Sequence, residues 1–296
     1  MKNAGGKALF SILIPTWNNL PYLQLCVASI RKNSRFPHQI IVHVNEGADG
    51  TADWTRSQGL DFTATAENVG VARAMNLMAP LAKTDYLLYL NDDMYVCPDW
   101  DAPLWEEIQT LGHHKFYLAS TPIEPVAKKG RIGPVFHDFG RAAGDFRETA
   151  LLAEYKRFAK PDWSGAIAPP CVVHRELWDK AEGYSEVFTT GYATDPDFVL
   201  KLWALGARYF KGKGNSLVYH FARVSTRKLA RGAGKRARKL LLEKWGVTQE
   251  ELLAHYLHLG EPWRGELREI DSPPWHERLR AWFWRTKTRW QAHGRD

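Results

Sequence analysis

Asp92 and Asp93 stand side by side behind an amide, Asn91, at the end of the apolar run 86–90. Two carboxylates and an amide at the tip of a rigid strand offer hard oxygen ligands, a set that suits Mg2+ or Mn2+ shared with the phosphates of a nucleotide. The same pair would equally serve as a turn, or as the N-cap of a following helix. A second pair, Asp195 and Asp197, flanks Pro196 ahead of the amphipathic stretch 198–203. Asp before Pro is a helix-start signal. A carboxylate at such a place can also take a proton from a substrate hydroxyl, and a reference pKa of about 3.9 leaves it ionised at neutral pH without special tuning. His220 closes the apolar segment 217–219, 25 residues after Asp195; a lone histidine there is either a structural residue or a ligand.

Arg73 sits one turn inside a helical segment that begins at Asn68, and it lies three residues before Asn76. That spacing puts Arg73 and Asn76 on one face, and a helix N-terminus attracts phosphate. A solvated surface arginine is the plainer reading. Trp163, Trp178 and Tyr192 could stack on sugar faces or pack in a core.

The segment YLLYLNDDM at 86–94 resembles the metal-binding acidic motif of family 2 glycosyltransferases. Other stretches resemble the same family in the same order: SILIPTWN at 11–18, NEGADGT at 45–51, ENVGVARAMN at 67–76, and then 165–208 and 218–226. Several motifs in register carry far more weight than one. The resemblance implies an α/β chain of the GT-A type, with a Rossmann-like, mostly parallel central sheet flanked by helices. It implies inverting transfer of a sugar from a nucleoside-diphosphate donor to an acceptor hydroxyl, with Mn2+ or Mg2+ as cofactor. Asp93 would ligate the metal, with Asp92 in the metal or ribose shell and His220 completing the set. Pro15, Thr16, Asn18, Asn45, Glu46, Asn68, Arg73, Asn91 and Asp92 would line the nucleotide-sugar, and Arg223, Ser225 and Thr226 would meet the diphosphate. Asp195 matches the general base, and Gly165 matches a position that shapes the acceptor floor; beside it Trp163, Tyr192 and Asp197 are candidates for the acceptor side, Asp197 being equally a cap of the helix. The sequence departs from the family pattern at Asn91 and Asn45, where many members carry aspartate, and at Thr194, which replaces a glutamate.

These side chains need a scaffold. Short apolar runs at 9–15, 39–44, 62–66, 86–90 and 116–120 read as buried strands. Helical spacing fills the gaps at 20–30, 51–58, 69–81 and 100–111. Strict alternation predicts right-handed crossovers and a doubly wound sheet that binds ligand beyond the carboxyl ends of its strands. Residues 121–163 are rich in Gly, Pro and charge and read as a variable loop with one short helix, the natural place for acceptor choice. Regularity resumes with a strand at 166–168, helices at 175–181 and 195–205, and strands near Tyr209 and Leu217. Residues 1–225 are expected to form the catalytic domain and 226–296 a basic helical extension, with helices at 226–245, 248–259 and 275–290.

The formal net charge of +7 is confined to that extension: residues 223–296 hold 17 Lys+Arg against 9 Asp+Glu, whereas residues 1–222 hold 23 against 24. Tryptophans beside arginines at 275–290 suit either an anionic membrane surface, where a lipid-linked acceptor resides, or a cap packed on the domain. No nucleic-acid motif accompanies the basic run. Cys26, Cys97 and Cys171 form no CxxC pair, which reads as buried thiols in a reducing compartment. With no apolar run of about 20 residues, the chain is expected to be cytoplasmic and peripheral at most on the inner face of the plasma membrane. Synthesis of a cell-surface polysaccharide or glycolipid is the expected role. The rival readings are a catalytically silent nucleotide-sugar-binding scaffold and a sugar nucleotidyltransferase; the latter normally has a glycine-rich basic loop where this chain has Thr16-Trp17-Asn18-Asn19.

Overall fold

The computed structural model describes residues 7–127, 130, 132–189, 191–222 and 232–269. The first half alternates as the apolar runs require: β1 Ser11–Trp17, α1 Leu20–Asn33, β2 Gln39–Asn45, α2 Thr51–Ser57, β3 Asp61–Thr65, α3 Gly70–Met78, β4 Tyr86–Tyr89, β5 Met94–Val96, α4 Ala102–Thr110 and β6 Phe116–Glu124. The second half adds β7 Val135–Phe136, α5 Glu148–Glu154, β8 Trp163–Ser164, β9 Cys171–His174, α6 Arg175–Lys180, α7 Thr194–Ala204, β10 Tyr209–His220 and α8 Ala233–Trp245. One sheet runs in the order β3-β2-β1-β4-β9-β6-β10-β5. Its β3, β2, β1 and β4 are mutually parallel, as are β6 and β10, while β9 and β5 run against their neighbours.

Period-two side-chain alternation explains the layering. Leu13, Ile41, Leu87, Tyr89 and Val173 point to one face, where they meet Met75 of α3, Leu177 of α6, Phe198 and Leu202 of α7, and Leu241 of α8. Ile12, Ile14, Val42, Leu88 and Val172 point to the other, against Val27 and Ile30 of α1 and Leu104 and Ile108 of α4. Each fully buried Leu or Ile contributes about 1.5–3 kcal/mol, so the two faces together carry the fold. A third cluster, Ile123, Phe139, Leu151 and Tyr219, seats the 135–158 segment on the outer edge of the sheet.

Several sequence expectations are corrected here. The 121–163 region begins inside a strand, since β6 continues to Glu124, whereas the short helix expected there is found at Glu148–Glu154. The expected strand at 166–168 is absent. Pairing there is confined to β8, and β9 begins only after Pro169 and Pro170, which have no N–H to give a ladder. The two short strands near Tyr209 and Leu217 are one strand of 12 residues, irregular between Lys213 and Leu217. The expected helix at 275–290 and the start of the one at 226–245 lie outside the described residues. From 233 to 267 the chain shares the core of the main body: Leu241, Leu252 and Leu257 are wholly buried, and Leu267 donates its N–H to the Arg208 carbonyl at 2.9 Å.

Candidate active site

The site opens where β1 and β4 part. Their ladder ends at the Leu13–Tyr89 pair, short of Pro15, which carries no N–H. Beyond that point β4 turns through Asn91, Asp92 and Asp93 into β5. Thr16, 2% exposed, donates its hydroxyl to Asp92 Oδ2 at 2.6 Å. The β5–β10 pairing sets His220 opposite Met94, and Phe221 donates its N–H to the Asp93 carbonyl at 3.1 Å. As a result His220 Nε2 lies 3.4 Å from Asp93 Oδ1. The other ring nitrogen, Nδ1, lies 3.1 Å from Glu124 Oε1. Burial alone would lower the His220 pKa, but Asp93 and Glu124 on its two sides outweigh it and raise the pKa to about 9.

Asp195 sits in the first turn of α7, after Ala193 in the left-handed region at φ 61. A left-handed alanine costs about 1–2 kcal/mol. Asp195 Oδ1 is buried without a hydrogen-bond partner among the described residues. Burial pushes its pKa up to about 7, opposed by the nearby Tyr184 hydroxyl. The sequence expectation of an untuned carboxylate is therefore corrected: desolvation raises the Asp195 pKa toward neutrality. Burial raises the Tyr89 hydroxyl well above its usual pKa, and Asp195, Asp92 and Asp93 all add to that rise.

Around this centre, Asn18 at φ 46 and Glu46 at φ 62 are joined by an Asn18 Nδ2 to Glu46 Oε2 bond of 2.8 Å. Asn45 is 3% exposed and spent on the scaffold, its amide donating to the Thr16 carbonyl at 3.1 Å and accepting from the Val69 N–H at 2.9 Å. Asn68 accepts from the Gly70 N–H at 2.9 Å, which shapes the entry to α3. Arg73 is exposed on that helix. Asn76 does not share its role, because its side chain both donates to the Tyr184 carbonyl and accepts from the Tyr184 N–H, each at 2.9 Å. Asn91 is half-buried, and its carbonyl accepts from the Cys26 thiol at 3.6 Å.

Three residues expected to face an acceptor are built into the body instead. Asp197 is wholly buried, with Oδ1 bonded to Lys244 Nζ at 2.6 Å and Trp245 Nε1 at 2.7 Å. Trp163 is 6% exposed, bonds Thr121 through its indole N–H at 2.8 Å, and lies so close over Gly212 that a Cβ there would fall 1.9 Å from the ring. Gly165, at φ 93, passes so near Leu259 that its own Cβ would sit 2.7 Å from the Leu259 Cα. Both Trp163 and Gly165 belong to the Lys211–Gly212 end of β10, away from His220. Tyr192 is 37% exposed near the head of α7, with its ring beside Gly234 of α8. Arg223, Ser225 and Thr226 lie outside the described residues.

Glu124 and Tyr89 were missed by sequence reasoning. A lone glutamate at the end of the apolar run 116–123 was the available signal for the first; Tyr89 carries none beyond its place in β4.

At the acidic turn Asp92 and Asp93 carry hard oxygens, and His220 on a different strand brings a borderline nitrogen to 3.4 Å from Asp93, donor types that a divalent cation takes. Elsewhere, ligand atoms of His114, His174 and Glu176 lie within 4.8 Å of one another. The two rings are stacked, however, with centroids 3.6 Å apart and 17° between planes. Such rings cannot both aim an in-plane lone pair at one ion. This group also lies by Tyr86, at the opposite end of β4 from Asp93.

Residues 11–147 match the family described as Glycosyl transferase family 2. Among solved structures, S. aureus TarS 1-349 superimposes with a TM-score of 0.54 at 15% identity, over 81% of this chain and 66% of that one. The same protein in complex with UDP-GlcNAc gives a TM-score of 0.53, and a longer TarS chain also gives 0.53, with 40% of its length covered. The curated proteins contain no match to this sequence. The shared fold is therefore GT-A, and this chain spans 40% to 67% of the length of those TarS chains.

Proposed function

We propose that the chain transfers a sugar from a nucleoside-diphosphate sugar to an acceptor hydroxyl, with inversion at the anomeric carbon. The observation that carries this reading is the 3.4 Å approach of His220, at the end of β10, to Asp93 on the turn after β4, which brings two separated stretches of sequence together. Asp93 and His220, with Asp92 behind, would hold Mn2+ or Mg2+; the ion, when bound, offsets the negative charge that develops on the departing diphosphate. Thr16 anchors Asp92, and the Asn18–Glu46 pair offers acceptor and donor groups to a base and ribose. Arg73 lies on the helix that begins beside this pair and would meet the phosphates.

Asp195 would accept the proton of the acceptor hydroxyl as its oxygen attacks the anomeric carbon. The bond from that carbon to the diphosphate oxygen breaks, and its electron pair leaves with the nucleotide. Tyr192 would stack on the acceptor or donor sugar.

A uridine diphosphate sugar is the first donor to test, because the TarS structures hold UDP and UDP-GlcNAc. A glycan or lipid-linked acceptor, a place in cell-surface polysaccharide or glycolipid synthesis, and work at the cytoplasmic membrane face complete the reading. No helix among the described residues is long and apolar enough to cross a membrane. Thermal unfolding with a panel of nucleotide sugars, with and without Mn2+, tests the donor class: one of them should raise the midpoint in a Mn2+-dependent way. Equal midpoints throughout would contradict the reading.

A further inference from the structure

Glu124 is 0% exposed, an uncommon place for a carboxylate unless something nearby needs it. It is the last residue of β6, just as His220 is the last of β10, and the two parallel strands are in register up to the Ile123–Tyr219 pair. Its backbone is fixed from the other side as well, since Glu124 pairs with Phe136 of β7 and its carbonyl accepts from the His137 N–H at 3.0 Å. The side chain then meets His220 Nδ1 at 3.1 Å, while Nε2 of the same ring faces Asp93 at 3.4 Å.

We propose that Glu124 is the positioning residue of the metal centre: its carboxylate accepts the Nδ1–H of His220, locks the ring plane, and so presents the Nε2 lone pair to a divalent cation beside Asp93. A carboxylate can only accept, so a neutral His220 held by it must carry its hydrogen on Nδ1. Outer-shell carboxylates of this kind orient histidine ligands and make them more basic. The short β7 strand acquires a role through this contact, since its pairing with β6 fixes the Glu124 backbone. The inference rests on the metal-binding reading of Asp93 and His220 given above.

The test is Mn2+ binding, with Mn2+ alone and with Mn2+ plus UDP, followed by electron paramagnetic resonance in wild type, Glu124→Gln, Glu124→Leu, His220→Ala and Asp93→Ala. The isosteric Glu124→Gln keeps a weaker acceptor and guards against a folding failure in Glu124→Leu. Mn2+ affinity should fall by about 10–100-fold in Glu124→Leu and by less in Glu124→Gln. Nitrogen modulation from the His220 ring in pulsed spectra should be present in wild type, lost in His220→Ala and diminished in Glu124→Leu. Folded Glu124 variants that bind Mn2+ as tightly as wild type, with unchanged nitrogen modulation, would overturn the positioning role alone. Wild type without Mn2+ binding, or Asp93→Ala and His220→Ala with unchanged affinity, would overturn the metal centre and the role of Glu124 with it.

Discussion

Thr16 on β1 and Asp92 on the turn after β4 are joined by a 2.6 Å hydrogen bond, although 76 positions separate them. The bond spans the gap where the two parallel strands stop pairing, so it holds the acidic turn against the strand that leads into the Asn18 loop. A buried carboxylate deprived of a donor costs about 1–3 kcal/mol. Thr16→Val should destabilise the protein by that amount in urea unfolding and weaken Mn2+-dependent nucleotide binding in calorimetry.

Asp195 links stability to pH in a direction opposite to most carboxylates. Its folded pKa of about 7 lies above the usual 3.8, so the folded protein binds the extra proton between those values. Stability from this group is full below about pH 4 and is lost as pH rises toward 7. Asp195→Asn removes the titration. Its melting temperature should exceed that of wild type by a margin that opens between pH 4 and 7 and stays constant above. Transfer by wild type should fall as pH drops through about 7, with the slope of one proton.

Asp197 and Asp195 are two residues apart and should respond in opposite ways. Asp197→Ala strips Lys244 and Trp245 of their shared partner and unfastens α8 from α7. Lys244 is 33% exposed, so the loss is discounted for solvent to roughly 1–3 kcal/mol. Chemical unfolding should register this loss, while donor affinity of the folded protein stays close to wild type.

Gly70→Ala places a Cβ 2.0 Å from the Thr189 carbonyl oxygen, at a φ of 78 that alanine disfavours. The strain alone costs about 1–2 kcal/mol, and the contact forces the Thr189 backbone away from α3. That backbone leads into Tyr192 and Asp195. Transfer activity should therefore fall more than stability, measured by turnover at a temperature where the variant remains folded.

Much of the architecture was legible because parallel strands buried on both faces print short apolar runs, and crossover helices print their period between them. Strands β1 to β4 and helices α1 to α4 follow that rule with ends shifted by a few residues. β5 was hidden because it is a three-residue strand directly behind the acidic turn. β9 was hidden by the two prolines before it. The candidate site was legible where chemistry demands a residue type: of the residues that stand out by type, Asp93 and His220 lie 3.4 Å apart. It was not legible where burial decides the role: only the packing of α8 assigns Lys244 and Trp245 to Asp197. The same holds for Trp163, whose ring is fixed by Gly212 on a strand about 50 residues away.

The most direct test separates donor binding from turnover at one residue. UDP-GlcNAc binding by calorimetry and UDP release on a panel of acceptors should be measured for wild type and Asp195→Asn with Mn2+ present. The expected result is unchanged donor affinity with UDP release reduced by about 100-fold or more in the variant. Wild-type turnover in Asp195→Asn would contradict the account.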